Sequence, residues 1–345
     1  MRINLSLKIF SSIIFIGIAN LNGQSVSFEW AKTIGGKQTD SSNCIAVDIY
    51  SNVLVTGNFL DTVDFDAGSN IFDLASHGSE DIFIEKINAQ GDFLWAKHFG
   101  SNNTDGGYAI TTDNSGNVYT TGYFSDTCDF DPDAGVFNLI SNGDWDIFVV
   151  KLNAAGQFIW AKQFGSIERE HAFGINVDAF NNVLVTGYFH ETVDFDPGIG
   201  NFNVSAFGAS DIFILKLDEN GNFIWAKNMG GTSNERGFTV TSDFNSNVIL
   251  AGPFKKTIDL NPDTTDFIFD AVGDNDSYIL KLNSSGEFLW AKQIGGPESD
   301  KAYSVKTDGT GNVIVSGGFQ NTTDFISGVD SFFMVSNGVR NDLNI

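Results

Sequence analysis

Five tryptophans, Trp30, Trp95, Trp160, Trp225 and Trp290, stand 65 residues apart, and each opens a WAK tripeptide. Three further series keep the same step without a gap: Gly57, Gly122, Gly187, Gly252 and Gly317; Phe59, Phe124, Phe189, Phe254 and Phe319; Asp64, Asp129, Asp194, Asp259 and Asp324. Such a chain folds by stacking one supersecondary unit on copies of itself, because a single unit cannot bury its own apolar face. The third unit shows the plan. AFGINVD (172–178) reads as a first strand, a, and VLVTGYF (183–189) as a second, b. An excursion of some 20 residues leads to DIFILKLD (211–218), strand c, and then to NFIWAKNMG (222–230), strand d. The c–d turn always runs from Asn or Asp through two residues to Gly, as in Asn153–Gly156 and Asn283–Gly286, which suits a type I turn closed by a left-handed glycine. Strands c and d are nearly continuously apolar, the pattern of a sheet covered on both faces.

Four antiparallel strands per unit, stacked on like neighbours, describe the blade of a β-propeller. A linear solenoid also repeats, but its units run to roughly 20–47 residues. The reading is therefore an all-β propeller of four-stranded blades with a 65-residue repeat, five blades in all. SFEWAKTIGG near the N-terminus supplies only a strand d, and the last unit supplies a, b and the start of c in NDLNI. This order implies a ring closed by the N-terminal strand. Strand c of that unit stops at Ile345 before its usual continuation, so a fragment of a longer product is also consistent with the chain.

The opening MRINLSLKIFSSIIFIGIANLNGQS has two basic residues, an apolar run from Ile9 to Ile18 and then small and polar residues. That is the layout of a secretory signal. Residues 1–23 are expected to be a signal peptide and 24–345 the propeller domain, in a protein secreted by a bacterium or displayed on its outer surface. The apolar run is short for a membrane span, so no insertion is expected after cleavage. Cys44 and Cys128 fall at different repeat positions and read as small buried hydrophobes rather than a disulfide.

Strand b ending VTGYF, then TVDFDPG, then SDIFILKLDENGNFIWAKNMGG together resemble the secreted bacterial β-propeller-repeat (SBBP) family of Bacteroidetes-type bacteria. The likeness covers everything after the leader. It implies a propeller and export, and brings no established chemistry. The family name implies seven blades where five periods are counted here. Members are often followed by adhesion-like and sorting domains, neither of which is visible in this chain.

The charge narrows the partners. With 19 Lys+Arg against 43 Asp+Glu the net charge is −24, a poor match to nucleic acid or to an anionic bilayer. Repeated polar residues read as structural. Asp48, Asp113, Asp178, Asp243 and Asp308 cap the a–b turns, while Asp81, Asp146, Asp211 and Asp276 cap turns or pair with Lys86, Lys151, Lys216 and Lys281. Glu168 and Glu170, in EREH, read as surface charge on a loop. Asp129, Asp131 and Asp133 in DFDPD place oxygens at alternate positions, as calcium sites do. A solvated acidic strand is the default there and calcium the alternative; no other cofactor is expected.

No HExxH, GxSxG, P-loop or GxGxxG motif is present. Some propellers are glycosidases with axial carboxylates, yet strand a carries no Asp or Glu before its closing Asp and shows small residues, Cys44, Ala109, Gly174, Thr239 and Ser304, on one face. The expected function is therefore non-catalytic binding of a protein or glycan by a monomer; a carbohydrate hydrolase, or a spacer within a surface adhesin, is the alternative. The a–b and c–d turns share one face of the disc, and the b–c excursions and d–a loops share the other. Residues that break the repeat collect on the second face: His77, Trp145, His190, Lys255, Lys256 and Arg340. They form the expected ligand face, where Trp145 reads either as an exposed anchor or as a ring packed on its own excursion.

Overall fold

The computed structural model describes residues 28–263, 265–326, 331–337 and 342–344. The leader and Arg340 lie outside them. A short N-terminal unit ends at Ala31, and a second unit from Lys32 onward holds every sheet. No helix among the described residues is long and apolar enough to cross a membrane.

The expected blades are present in the order a–b–c–d. Blade 1 is Ser41–Val47, Val53–Phe59, Asp81–Ile87 and Phe93–Phe99; blade 2 is Gly106–Thr112, Val118–Phe124, Asp146–Leu152 and Phe158–Phe164. Blade 3 is His171–Val177, Val183–Phe189, Asp211–Leu217 and Phe223–Gly231; blade 4 is Thr239–Ser242, Val248–Phe254, Asp276–Leu282 and Phe288–Ile294. The fifth sheet has three described strands, Lys301–Thr307, Val313–Phe319 and Asp342–Asn344. Residues 28–40 form no strand, so the described residues contain no N-terminal strand d completing this sheet. Each excursion folds back as a small hairpin, such as Thr62–Asp64 against Asp73–Ala75.

Strands a of successive blades pack side by side around the axis. Strands b and c of blades 2 and 3 are buried along their whole length, which accounts for their mostly apolar sequence. In the first blade it is strand a that is open: Ile45 and Val47 are 65% and 61% exposed.

The tryptophan of WAK joins one blade to the next. Indole Nε1 of Trp95, Trp160 and Trp225 donates to the carbonyls of Ala154, Glu219 and Ser284, each in the following blade's c–d turn, at 3.2–3.3 Å. Lys86, Lys151 and Lys216 donate to the same three carbonyls. Gly221 completes this joint. Its φ of 77° admits few other residues, and a Cβ there would stand 3.1 Å from the Trp160 ring. These lysines do not pair with the aspartates that open strand c. They reach instead to those that close strand a: Lys86 to Asp48 and Lys216 to Asp178 at 2.9 Å, Lys281 to Asp243 at 2.8 Å. In blade 2, Tyr119 holds Asp113, with its hydroxyl 3.0 Å from Oδ2.

The Asp48 series also caps the a–b turns as expected, accepting from the amides of Tyr50 and Asn52 in blade 1. Burial works against the Asp48 carboxylate, but hydrogen bonds from Asn52 and Lys86 outweigh it and hold the group below the usual range. Both cysteines are free, Cys128 fully buried and Cys44 half-buried.

Candidate functional site

Strand a carries one residue more than its partner. Pairing with strand b slips between Ser42 and Cys44, Gly107 and Ala109, Ala172 and Gly174, and Ala302 and Ser304. The unpaired residue in each gap is Asn43, Tyr108, Phe173 or Tyr303. A bulge of this kind re-aims a side chain. The strand-b glycine makes the slip feasible, because a Cβ at Gly187 would collide with the carbonyl oxygen of His171. Phe238 occupies the equivalent place in blade 4, where Pro253 lacks the amide hydrogen its siblings offer and strand a is shortened to Thr239–Ser242.

Four half-buried or exposed rings thus line up across blades 2 to 5, at the end of the axis where the excursions lie. Phe173 packs edge-on to Tyr108 at 5.6 Å and to Phe238 at 5.2 Å, and Phe238 stacks on Tyr303 at 6.0 Å. Tyr303 is 49% exposed. Beneath them His171 is buried among Tyr108, Tyr123 and Phe173, with ring centroids 4.0–4.8 Å away. Burial drives its pKa down to about 3, so it is a neutral packing element. The Arg236 guanidinium lies over Tyr188, 5.1 Å from its centroid.

Two of the sequence-predicted residues join this belt. Trp145 stacks on Tyr123 at 4.3 Å, with the Arg169 guanidinium 4.7 Å from its ring and Arg169 paired to Asp144. It is half-buried and packed, a wall of the belt held because Tyr123 and Arg169 occupy its ring. His190 packs edge-on to Tyr188 at 5.4 Å and bonds the Arg169 carbonyl at 2.6 Å.

The others lie elsewhere. Lys255 pairs with Asp274 at 3.2 Å, and Lys256 sits at φ 55° in the turn entering its excursion hairpin. His77 stands in blade 1 beside Asp81 and His98. The calcium candidates are engaged locally. Asp129 Oδ1 accepts from the amides of Asp131 and Phe137, Asp131 from that of Asp133, and Asp133 pairs with Lys97 at 2.7 Å. They are not among the clusters of three described side chains whose ligand atoms converge on one point.

Glu170 corrects the surface-charge expectation. It is fully buried, accepts from the amide and hydroxyl of Ser166, and ties the d–a loop to His190. Asp105 and Glu235 fill the same place in their blades. Burial raises Glu170 and Glu235 to about 7 and Asp105 to about 6. Such values suit general acids, but these carboxyls are sealed from solvent and recur by symmetry. They are loop staples.

Sequence reasoning missed the belt, although Tyr108, Phe173, Phe238 and Tyr303 keep the 65-residue step. That recurrence was the available signal.

No protein-family model matches the chain. It is 26% identical over 358 residues to an uncharacterised WD repeat-containing protein of Acanthamoeba polyphaga mimivirus, an alignment covering 85% of this chain and 25% of that protein. It is 24% identical over 110 residues to the regulatory protein FlaEY of Caulobacter vibrioides, covering 32% of this chain and 12% of that one. The chain therefore spans a quarter or less of the length of these curated relatives. Similarity to a WD repeat-containing protein agrees with the propeller fold. A crystal structure of a protein of unknown function from Bacteroides caccae aligns over 74% of this chain and 83% of its own, with a TM-score of 0.35 and 10% identity.

Proposed function

We propose that this chain is an exported, non-catalytic binding propeller of the SBBP type whose axial aromatic belt receives a glycan. The observation that carries the reading is the row of rings at the bulge position, Tyr108, Phe173, Phe238 and Tyr303, presented half-open at the excursion end of the axis. Aromatic faces bind sugar rings by apolar contact while phenolic and guanidinium groups serve the hydroxyls. The net charge of −24 favours a neutral or cationic glycan over an acidic one. Similarity to a WD repeat-containing protein supports a second reading, in which the same belt anchors a protein side chain.

Labelled protein on an array of neutral, basic and acidic oligosaccharides tests the first reading. Binding to neutral or basic glycans that is lost in Phe238→Ala and Tyr303→Ala is expected. Binding that survives both variants places the ligand elsewhere, and a blank array with capture of a protein partner sensitive to both supports the second reading. The signal-peptide expectation is tested by the N-terminal sequence of the exported product, which should begin near Gln24.

A further inference from the structure

In blades 2, 3 and 4 the aspartate that opens strand c accepts a hydrogen bond from an amide side chain on strand d. Gln163 Nε2 lies 3.0 Å from Asp146, Asn228 Nδ2 3.4 Å from Asp211, and Gln293 Nε2 2.6 Å from Asp276. Blade 1 departs from this rule twice. His98 replaces the amide, and His77 stands where the siblings have Asn142, Phe207 and Val272. His77 Nδ1 is 2.7 Å from Asp81 Oδ2, and His98 Nε2 is 4.0 Å from the same oxygen, beyond hydrogen-bond reach. The two imidazoles stack with centroids 5.0 Å apart, and Phe59 packs edge-on to His98. All three ligand atoms lie within 4.8 Å of one another. The Asp81 side chain is fully buried, and its Oδ1 has no hydrogen-bond partner.

We propose that His77, Asp81 and His98 form a binding site for a divalent transition metal of the zinc type. Two imidazoles and one carboxylate are a donor set for zinc and its neighbours, whereas calcium takes oxygens. Bonds of about 2.0–2.2 Å bring tetrahedral ligand atoms to roughly 3.4 Å apart, so the site closes by drawing the rings together around Asp81. His77 is more than half exposed and sits on the excursion, so it is the ligand free to turn. Its exposure leaves the remaining coordination positions to water or to an incoming group. The metal would pin the excursion to strand d, the task that the same amides perform in the sibling blades by also donating to the excursion carbonyls of Ile140, Ser205 and Asp270.

The test uses the full chain without a histidine tag, stripped with chelator and titrated with zinc chloride in a calorimeter. One equivalent is expected to bind. His98→Gln and His77→Asn copy the residues of blade 2, so they should fold; each should weaken binding by at least about tenfold and remove the zinc-dependent rise in melting temperature. Calcium chloride should not compete. Absence of zinc binding, a stoichiometric site unaffected by both substitutions, or equal competition by calcium would each overturn the assignment.

Discussion

At the a–b and c–d turn end of the blades, Trp95, Trp160 and Trp225 repeat one joint, with the same acceptor in the next blade and a lysine donating beside each. At the excursion end the blades vary. The bulge position runs Asn43, Tyr108, Phe173, Phe238, Tyr303, and the residue before strand c runs Glu80, Trp145, Ser210, Asn275. Both ends sit on the same strands, so the fold tolerates variation at one and not at the other. The tolerant end is half-open, with Tyr303 49% exposed. The turn end is closed by the next blade, so each change is felt by two blades.

The largest expected effect is at the joint. Trp160→Ala removes a ring packed between blades 2 and 3 and leaves the Glu219 carbonyl without its indole donor, at a cost of about 3–5 kcal/mol in denaturant unfolding. An unchanged midpoint would show that the joint does not hold the blades. Gly221→Ala should cost less, about 1–2 kcal/mol for the left-handed backbone, with the crowding of Trp160 added.

Glu85 tests whether a departure from the repeat inside a strand is harmful. It stands where the siblings have Val150, Leu215 and Leu280, is 2% exposed, and leaves Oε1 without a partner. Burial, with a smaller contribution from Asp66, raises its pKa from 4.5 to about 7. The neutral form fits the fold, so no penalty applies below the unfolded value; stability falls as pH rises through the interval to about 7, where the folded state resists ionisation. Glu85→Leu should therefore stabilise by about 1–3 kcal/mol at pH 8 and by clearly less at pH 4, as read from chemical unfolding at the two pH values. Equal gains at both would remove ionisation as the cause.

The smallest effect on stability belongs to the belt. Tyr303→Ala should shift unfolding by less than about 0.5 kcal/mol, since the ring is half exposed, while reducing glycan binding on the array. A large loss of stability would make Tyr303 part of the core and erase the contrast between the two ends.

The blades were legible because covering by neighbours imposes the same demand every 65 residues. Strand b of blade 3, expected over 183–189, is Val183–Phe189, and strand c, expected over 211–218, is Asp211–Leu217. Reading polar partners was harder. Lys86 and Asp81 are neighbours in sequence, yet Lys86 reaches Asp48, because twist and stacking decide which carboxylate shares its end of the sheet. Glu170 looked like loop charge because a charged tripeptide surrounds it; only the fold of the d–a loop over it reveals a sealed staple.

The periodic apolar, glycine and tryptophan positions by themselves determined strands, turns and blade order, since each answers to its own backbone or to an identical neighbour. Tertiary structure decided which of the remaining side chains meet. The slip at each bulge sets Tyr108, Phe173 and Tyr303 in one row with Phe238, and the return of strand d brings His98 to His77 and Asp81. The 65-residue period marks the ring positions, but which side chains meet depends on how the strands lie against one another.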